Sequence, residues 1–194
     1  MKRRLLSLAV IIPALAILSY LVGDKLILFG RMSQLYAAKP DQQLAMPVAG
    51  VSKKRVSDSW HAPRSGGERQ HEGQDIFASR GTPVLSATDG YVVRVGENRL
   101  GGKTVSVMGA GGRMYYYAHL DAYAPNLAFG EYVTPETVLG YVGTTGNAAG
   151  TSPHLHFGVY SSSGAINPLP MLSDRMEPSL AGKAANARLG KKRN

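Results

Sequence analysis

Apolar residues run almost unbroken from residue 5 to residue 22, interrupted only by Ser7, Pro13, Ser19 and Tyr20, none of them charged. As a helix this stretch would reach about 27 Å, close to the ~30 Å hydrocarbon core of a bilayer. It lacks the polar face that a surface helix needs, so the pattern predicts one N-terminal transmembrane helix over 5–22. Lys2, Arg3 and Arg4 make residues 1–4 a basic cytoplasmic flank. They predict a single-pass protein of the cytoplasmic membrane with the rest of the chain outside the cytoplasm, in the periplasm or on the cell-wall side. Ala14-Leu15-Ala16 fits the small-x-small cleavage pattern of a signal peptide, but apolar sequence continues through 17–22, which favours an uncleaved anchor.

Residues 23–59 show no steady period and read as a spacer, with Asp24, Lys25 and Arg31 after the apolar run and a solvated basic patch at Lys53, Lys54 and Arg55. From Trp60 the rhythm becomes one of short β-like runs separated by turn signals, the texture of an all-β domain over 60–170. Residues 82–88, Asp89-Gly90 and residues 91–95 predict one hairpin. Residues 103–108, the turn Gly109-Ala110-Gly111-Gly112 and residues 113–120 predict a second. Shorter strands follow at 132–134, 137–142 and 155–160, with no helix of ordinary length between 60 and 170 and no fixed-period repeat. Residues 171–194 end in Lys191-Lys192-Arg193 and read as a basic, disordered tail.

A hydrophobic content of 44% and 23 glycines suit a single turn-rich globular domain. The net charge of +9 would suggest a nucleic acid or an anionic surface as partner. Residues 1–40 and 181–194 hold +5 each, however, which leaves 41–180 at −1. No nucleic-acid partner is therefore expected for the domain. The absence of cysteine excludes disulfides, thiolate zinc sites and a cysteine nucleophile, so any metal must sit on histidine and carboxylate.

The chain has five histidines, and four of them have a context. His154 and His156 sit at i and i+2 of a β-like run and so share a face, with Leu155 turned the other way. Such a pair can hold one metal, or hold a metal with one ring and serve a reaction with the other. His71 and Asp75 lie in His71-Glu72-Gly73-Gln74-Asp75, where Gly73 disfavours a helix and suggests a loop bringing imidazole and carboxylate together. His119 follows Tyr115, Tyr116, Tyr117 and Ala118. Strict alternation puts Tyr115, Tyr117 and His119 on one face and Tyr116, Ala118 and Leu120 on the other. His61 matches no motif and reads as a surface histidine.

Taken in order, His71-x-Gly73-x-Asp75-Ile76, Gly81-Thr82-Pro83-Val84 with Asp89-Gly90, Tyr117-Ala118-His119-Leu120, Gly140-Tyr141-Val142-Gly143-x-Thr145-Gly146 and His154-Leu155-His156-Phe157 resemble the lysostaphin-type (LytM-like) zinc metalloendopeptidases of bacterial cell-wall turnover. The resemblance covers 60–168. It implies a compact antiparallel β-sheet or sandwich domain with a groove across the metal. It also implies zinc (Zn2+) bound by His71, Asp75 and His156, with His119 and His154 as catalytic imidazoles. Gln74 departs from the family, which usually has an apolar residue before the Asp; this touches substrate detail more than activity.

The implied function is a membrane-anchored zinc endopeptidase that hydrolyses peptide cross-links or stem peptides of peptidoglycan. Its competitor is a non-catalytic protein of the same fold that binds the wall or activates another wall hydrolase. Such relatives typically lack a metal or catalytic position, whereas all five are present here.

Overall fold

The structure, a computed structural model, describes residues 22–175. It is mostly β-sheet, with one α-helix among the described residues, α1, over 22–37. Besides Val22 and Gly23 at its start, its half-buried positions are Leu28, Met32 and Leu35, spaced i, i+4 and i+7 as a docking stripe. The stripe is blurred in the sequence because Leu26, Ile27 and Phe29, also apolar, stand exposed beside it.

Single-pass membrane placement is corrected by this structure. Among the described residues no helix is long and apolar enough to cross a membrane. The described helix, 22–37, carries Asp24, Lys25 and Arg31 and covers about 24 Å. Residues 5–21 of the expected span lie outside the described residues, as do 176–194 of the expected tail.

Strands follow in chain order: β1 (Leu44–Ala45), β2 (Pro63–Arg64), β3 (Arg69–Gln70), β4 (Gln74–Phe77), β5 (Pro83–Leu85), β6 (Gly90–Asn98), β7 (Gly102–Met108), β8 (Met114–Tyr123), β9 (Tyr132–Val133), β10 (Val138–Val142), β11 (His154–Ser161), β12 (Gly164–Ile166) and β13 (Leu172–Ser173). One nine-stranded antiparallel sheet runs β12-β11-β8-β7-β6-β9, with β4 on β11 and with β10 between β5 and β8. The β7–β8 hairpin forms as the sequence predicts. The hairpin expected around Asp89-Gly90 does not: β5 pairs with β10, and β6 with β7 and β9. Pairing with β10 buries Val84 completely, and Gly90 serves close approach instead of a turn. A Cβ there would stand 2.5 Å from the Met108 carbonyl oxygen.

Alternation along the strands writes core and groove at once. On β11, Leu155, Phe157 and Val159 are fully buried, while His154 and His156 face the opposite side. On β8, Tyr115 and Tyr117 enter the core and Tyr116 and Ala118 line the groove.

The stretch expected as a spacer contributes to that core. Leu44, Met46 and Val48 have no exposed surface, and β1 pairs in parallel with β13. Arg175 joins these pieces: it donates to the Met46 carbonyl at 2.6 Å, the Ser86 carbonyl at 2.8 Å and the Pro135 carbonyl.

Candidate metal centre and catalytic groove

Strand pairing assembles the site from three distant stretches. β4 and β11 are antiparallel with His156 opposite Asp75 and His154 opposite Phe77, and β8 sets Ala118 opposite His156 on the other side. His71 enters from the loop before β4. Its backbone is gripped by that of residues 61 and 62: its N–H donates to the Ala62 carbonyl at 3.0 Å, and its carbonyl accepts from the His61 N–H at 2.9 Å. Gly73 makes room for His156, since a Cβ at 73 would lie 2.6 Å from His156 Cε1 and 2.8 Å from the Phe157 carbonyl oxygen.

His119 reaches the groove by breaking the strand. Its φ of +64° is left-handed, and the β7–β8 register shifts between Lys103 and Val105. This bulge turns His119 to the side of Tyr116, away from the face that alternation assigns it with Tyr115 and Tyr117.

Four of the five histidines, His71, His119, His154 and His156, therefore line one groove of about 520 Å³ together with Asp75. His61 is exposed and stacks on Trp60, ring centroids 4.5 Å apart. His71 Nε2, Asp75 Oδ1 and His156 Nδ1 converge: the two nitrogens are 2.8 Å apart, and the carboxylate oxygen is 3.0 Å from the first and 3.2 Å from the second. His154 Nε2 lies 3.9 Å from the same oxygen, and the His119 and His154 rings are 5.0 Å apart.

A carbonyl oxygen can only accept, which settles three tautomers. His71 Nδ1–H donates to the Ser59 carbonyl at 2.7 Å, His119 Nδ1–H to the Thr145 carbonyl at 2.9 Å and His154 Nδ1–H to the Ser152 carbonyl at 2.8 Å. In its neutral form each ring then carries its lone pair on Nε2. A lone pair on His71 Nε2 and a carboxylate oxygen thus face His156 Nδ1, which has at most one proton to share between them. Such a concentration of acceptors calls for a cation.

Among the described residues, His71, Asp75 and His156 form the His/Asp/Glu group able to hold a metal. The donor set fits zinc: ligands about 2.0–2.1 Å from the ion stand roughly 3.3 Å apart at tetrahedral angles.

The electrostatics favour an ionised Asp75. Burial acts to raise its pKa, but the adjoining His156 and His71 imidazoles outweigh it and hold the carboxyl well below the usual carboxylate range. The Arg64 guanidinium pairs with Asp75 Oδ2, leaving Oδ1 toward the imidazoles. Burial pushes His119 down to about 4, against the opposing hydrogen bond to Thr145. Burial also lowers His156, opposed by its hydrogen bond to Asp75.

The sequence gives no role to Arg64 or Ser59, and Thr145 stands in it only as part of a motif. Ser59 and Thr145 hold their histidines through backbone carbonyls, which no side-chain pattern can signal, and Arg64 stands in a loop-rich stretch without period.

Residues 69–168 match the model of peptidase family M23, and the chain belongs to that family. The LytM-type resemblance carried by its motifs is thereby established. An L-Ala–D-Glu endopeptidase of Bacillus subtilis is 40% identical over 138 residues, covering 66% of this chain and 42% of the relative. The DD-carboxypeptidase/endopeptidase Mpg of Neisseria meningitidis is 35% identical over 122 residues, covering 61% of this chain and 26% of the relative. The chain thus spans less than half the length of either protein. The catalytic domain of lysostaphin from Staphylococcus simulans superposes with a TM-score of 0.52 at 30% identity, over 60% of this chain and 90% of that domain.

Proposed function

We propose that this chain is a zinc-dependent endopeptidase acting on peptides of bacterial peptidoglycan. His71, Asp75 and His156 are its metal ligands, and His119 and His154 handle protons. The observation that carries this reading is the convergence of His71 Nε2, Asp75 Oδ1 and His156 Nδ1 within 2.8 to 3.2 Å of one another at the floor of a groove.

Zinc, when bound, supplies Lewis acidity toward a peptide carbonyl and lowers the pKa of a water toward ~7. His119 and His154 keep Nδ1–H on backbone carbonyls. Each neutral ring offers an Nε2 lone pair that can take a proton from the attacking water and return it to the leaving amine. Burial keeps His119 neutral at pH 7 and so available as an acceptor.

The names of the relatives, L-Ala–D-Glu endopeptidase and DD-carboxypeptidase/endopeptidase, point to peptides containing D-amino acids, the chemistry of wall peptides. The groove is lined by Phe77, Arg69 and Arg64, the last paired with Asp75. L-Ala–D-Glu, the bond in the name of the relative that is 40% identical to this chain, is the bond we assign.

The test is digestion of purified sacculi by the full chain, with and without 1,10-phenanthroline and beside His156→Ala, with products read by mass spectrometry. New peptide termini that vanish in both controls support the reading and name the bond. Zinc-loaded protein that releases no peptide from any sacculus type would overturn it.

A further inference from the structure

Ser59 belongs to none of the motifs that carry the family resemblance, yet it contacts both His71 and Asp75. Its carbonyl accepts His71 Nδ1–H at 2.7 Å, and its Oγ accepts the Asp75 backbone N–H at 3.0 Å. Ser59 is itself held from behind, because its N–H and its O–H both donate to Gln74 Oε1 at 3.0 Å. Gln74 has no exposed surface, and its Nε2 donates to Asp58 Oδ1 at 2.8 Å and Asn167 Oδ1 at 3.2 Å. Two acceptor and two donor positions of this buried amide are thus all occupied.

We propose that Ser59, locked by Gln74, is the positioning residue of the site: it fixes His71 and Asp75 as a pair and thereby sets how tightly the site binds a divalent metal. The physical ground is the single residue shared by two ligands. The Ser59 carbonyl selects the His71 tautomer whose lone pair lies on Nε2, the atom facing Asp75 and His156. Its hydroxyl pins the start of the backbone that carries the Asp75 carboxylate. An imidazole or a carboxylate free to rotate would have to be ordered on binding, at the expense of affinity. Gln74 matters because a buried apolar side chain there would leave the Ser59 N–H and O–H without their acceptor. The arrangement also ties the site to residues before the family-matched stretch of 69–168.

This inference rests on reading His71, Asp75 and His156 as metal ligands, and the experiment separates the two. Metal-free full-chain protein is titrated with zinc against a chromophoric chelator. The proteins compared are wild type, Ser59→Ala, Ser59→Thr, Gln74→Leu and, as a site control, His156→Ala. The expected result is one zinc bound by wild type and lost in His156→Ala. Affinity is about 10- to 100-fold weaker in Ser59→Ala and Gln74→Leu and largely recovered in Ser59→Thr.

The visible spectrum of the cobalt-substituted protein, which reports ligand geometry, shifts in Ser59→Ala and returns in Ser59→Thr. A purely structural role for Ser59 would leave that spectrum unchanged. At saturating zinc, kcat falls in Ser59→Ala while KM holds. Equal zinc affinity in wild type, Ser59→Ala and Gln74→Leu overturns the positioning role and leaves the metal site standing. Zinc binding that is absent from wild type, or unaltered in His156→Ala, overturns both. Circular dichroism checks folding; if Gln74→Leu does not fold, Ser59→Ala, which loses only a hydroxyl, decides the matter.

Discussion

Tyr117 and His119 stand two residues apart on one strand and face opposite ways: Tyr117 is wholly inside the core, and His119 lines the groove. The left-handed backbone at His119 makes the difference, with φ at +64°. A non-glycine residue held there stores conformational energy. His119→Gly is therefore expected to be more stable than His119→Ala by about 1 kcal/mol, because only alanine carries the Cβ penalty. Urea denaturation of the two variants checks this. Both should lose peptidase activity by about 10²-fold or more, because the groove loses an imidazole.

Metal removal should weaken the fold as well as the activity. A ligand that binds only the folded state stabilises it by about 4 kcal/mol at a thousandfold excess over Kd. Dialysis against a chelator is expected to lower Tm and zinc to restore it. In Asp75→Ala and His156→Ala zinc should leave Tm unchanged, as differential scanning calorimetry would show.

Gly73→Ala is expected to displace His156 without unfolding the protein. The new Cβ would stand 2.6 Å from His156 Cε1, too close for the imidazole to keep its place. Zinc affinity and kcat should both fall by about tenfold or more, the scale on which perturbed ligand orientation acts. An isothermal titration equal to wild type would refute the steric argument.

Acid should destabilise the metal-free protein in a definite window. Burial lowers the His119 pKa from 6.5 to about 4, so on acidification the unfolded chain takes up that proton first. The contribution of His119 is fully present above pH 6.5 and is lost as pH falls toward about 4. Asp75, also held low, adds a further loss as pH falls below its ordinary value of 3.8. Urea midpoints between about pH 8 and pH 4 should fall less steeply for His119→Gln than for wild type.

Truncation should show how far the folded unit extends. A chain begun at residue 60 lacks Leu44, Met46 and Val48, all fully buried. Losing even one such side chain costs about 2–5 kcal/mol, against a domain stability of about 5–15 kcal/mol. Residues 60–194 are expected to give no cooperative urea transition, whereas residues 38–194, which retain all three, should give one.

Much of the site could be read before folding. His154 and His156 share a face because β-strand geometry has a period of two, and Leu155 between them fills the core as that period requires. The turn at 109–112 joins β7 to β8 because its glycines and the flanking alternation agree. The hairpin at Asp89-Gly90 failed because a favourable local turn lost to burial of Val84 against β10, a partner more than fifty residues away in the chain. Helix 22–37 was hidden by exposed apolar residues beside its docking stripe.

By itself the sequence determined which side chains could do chemistry: histidines and a carboxylate in a chain without cysteine, in motifs shared with one peptidase family. It also determined which neighbours along a strand share a face, because that follows from backbone stereochemistry alone. The tertiary structure decided which of those side chains meet. His71 and His156 are 85 positions apart, and only the pairing of β4 with β11 brings their nitrogens to 2.8 Å. It decided the direction of His119, since a bulge is set by competition between strand registers and not by the residues that bulge. It brought in Ser59 and Leu44 as well, because a backbone carbonyl's partner and a core side chain's neighbours depend on the whole packed chain, not on any local pattern.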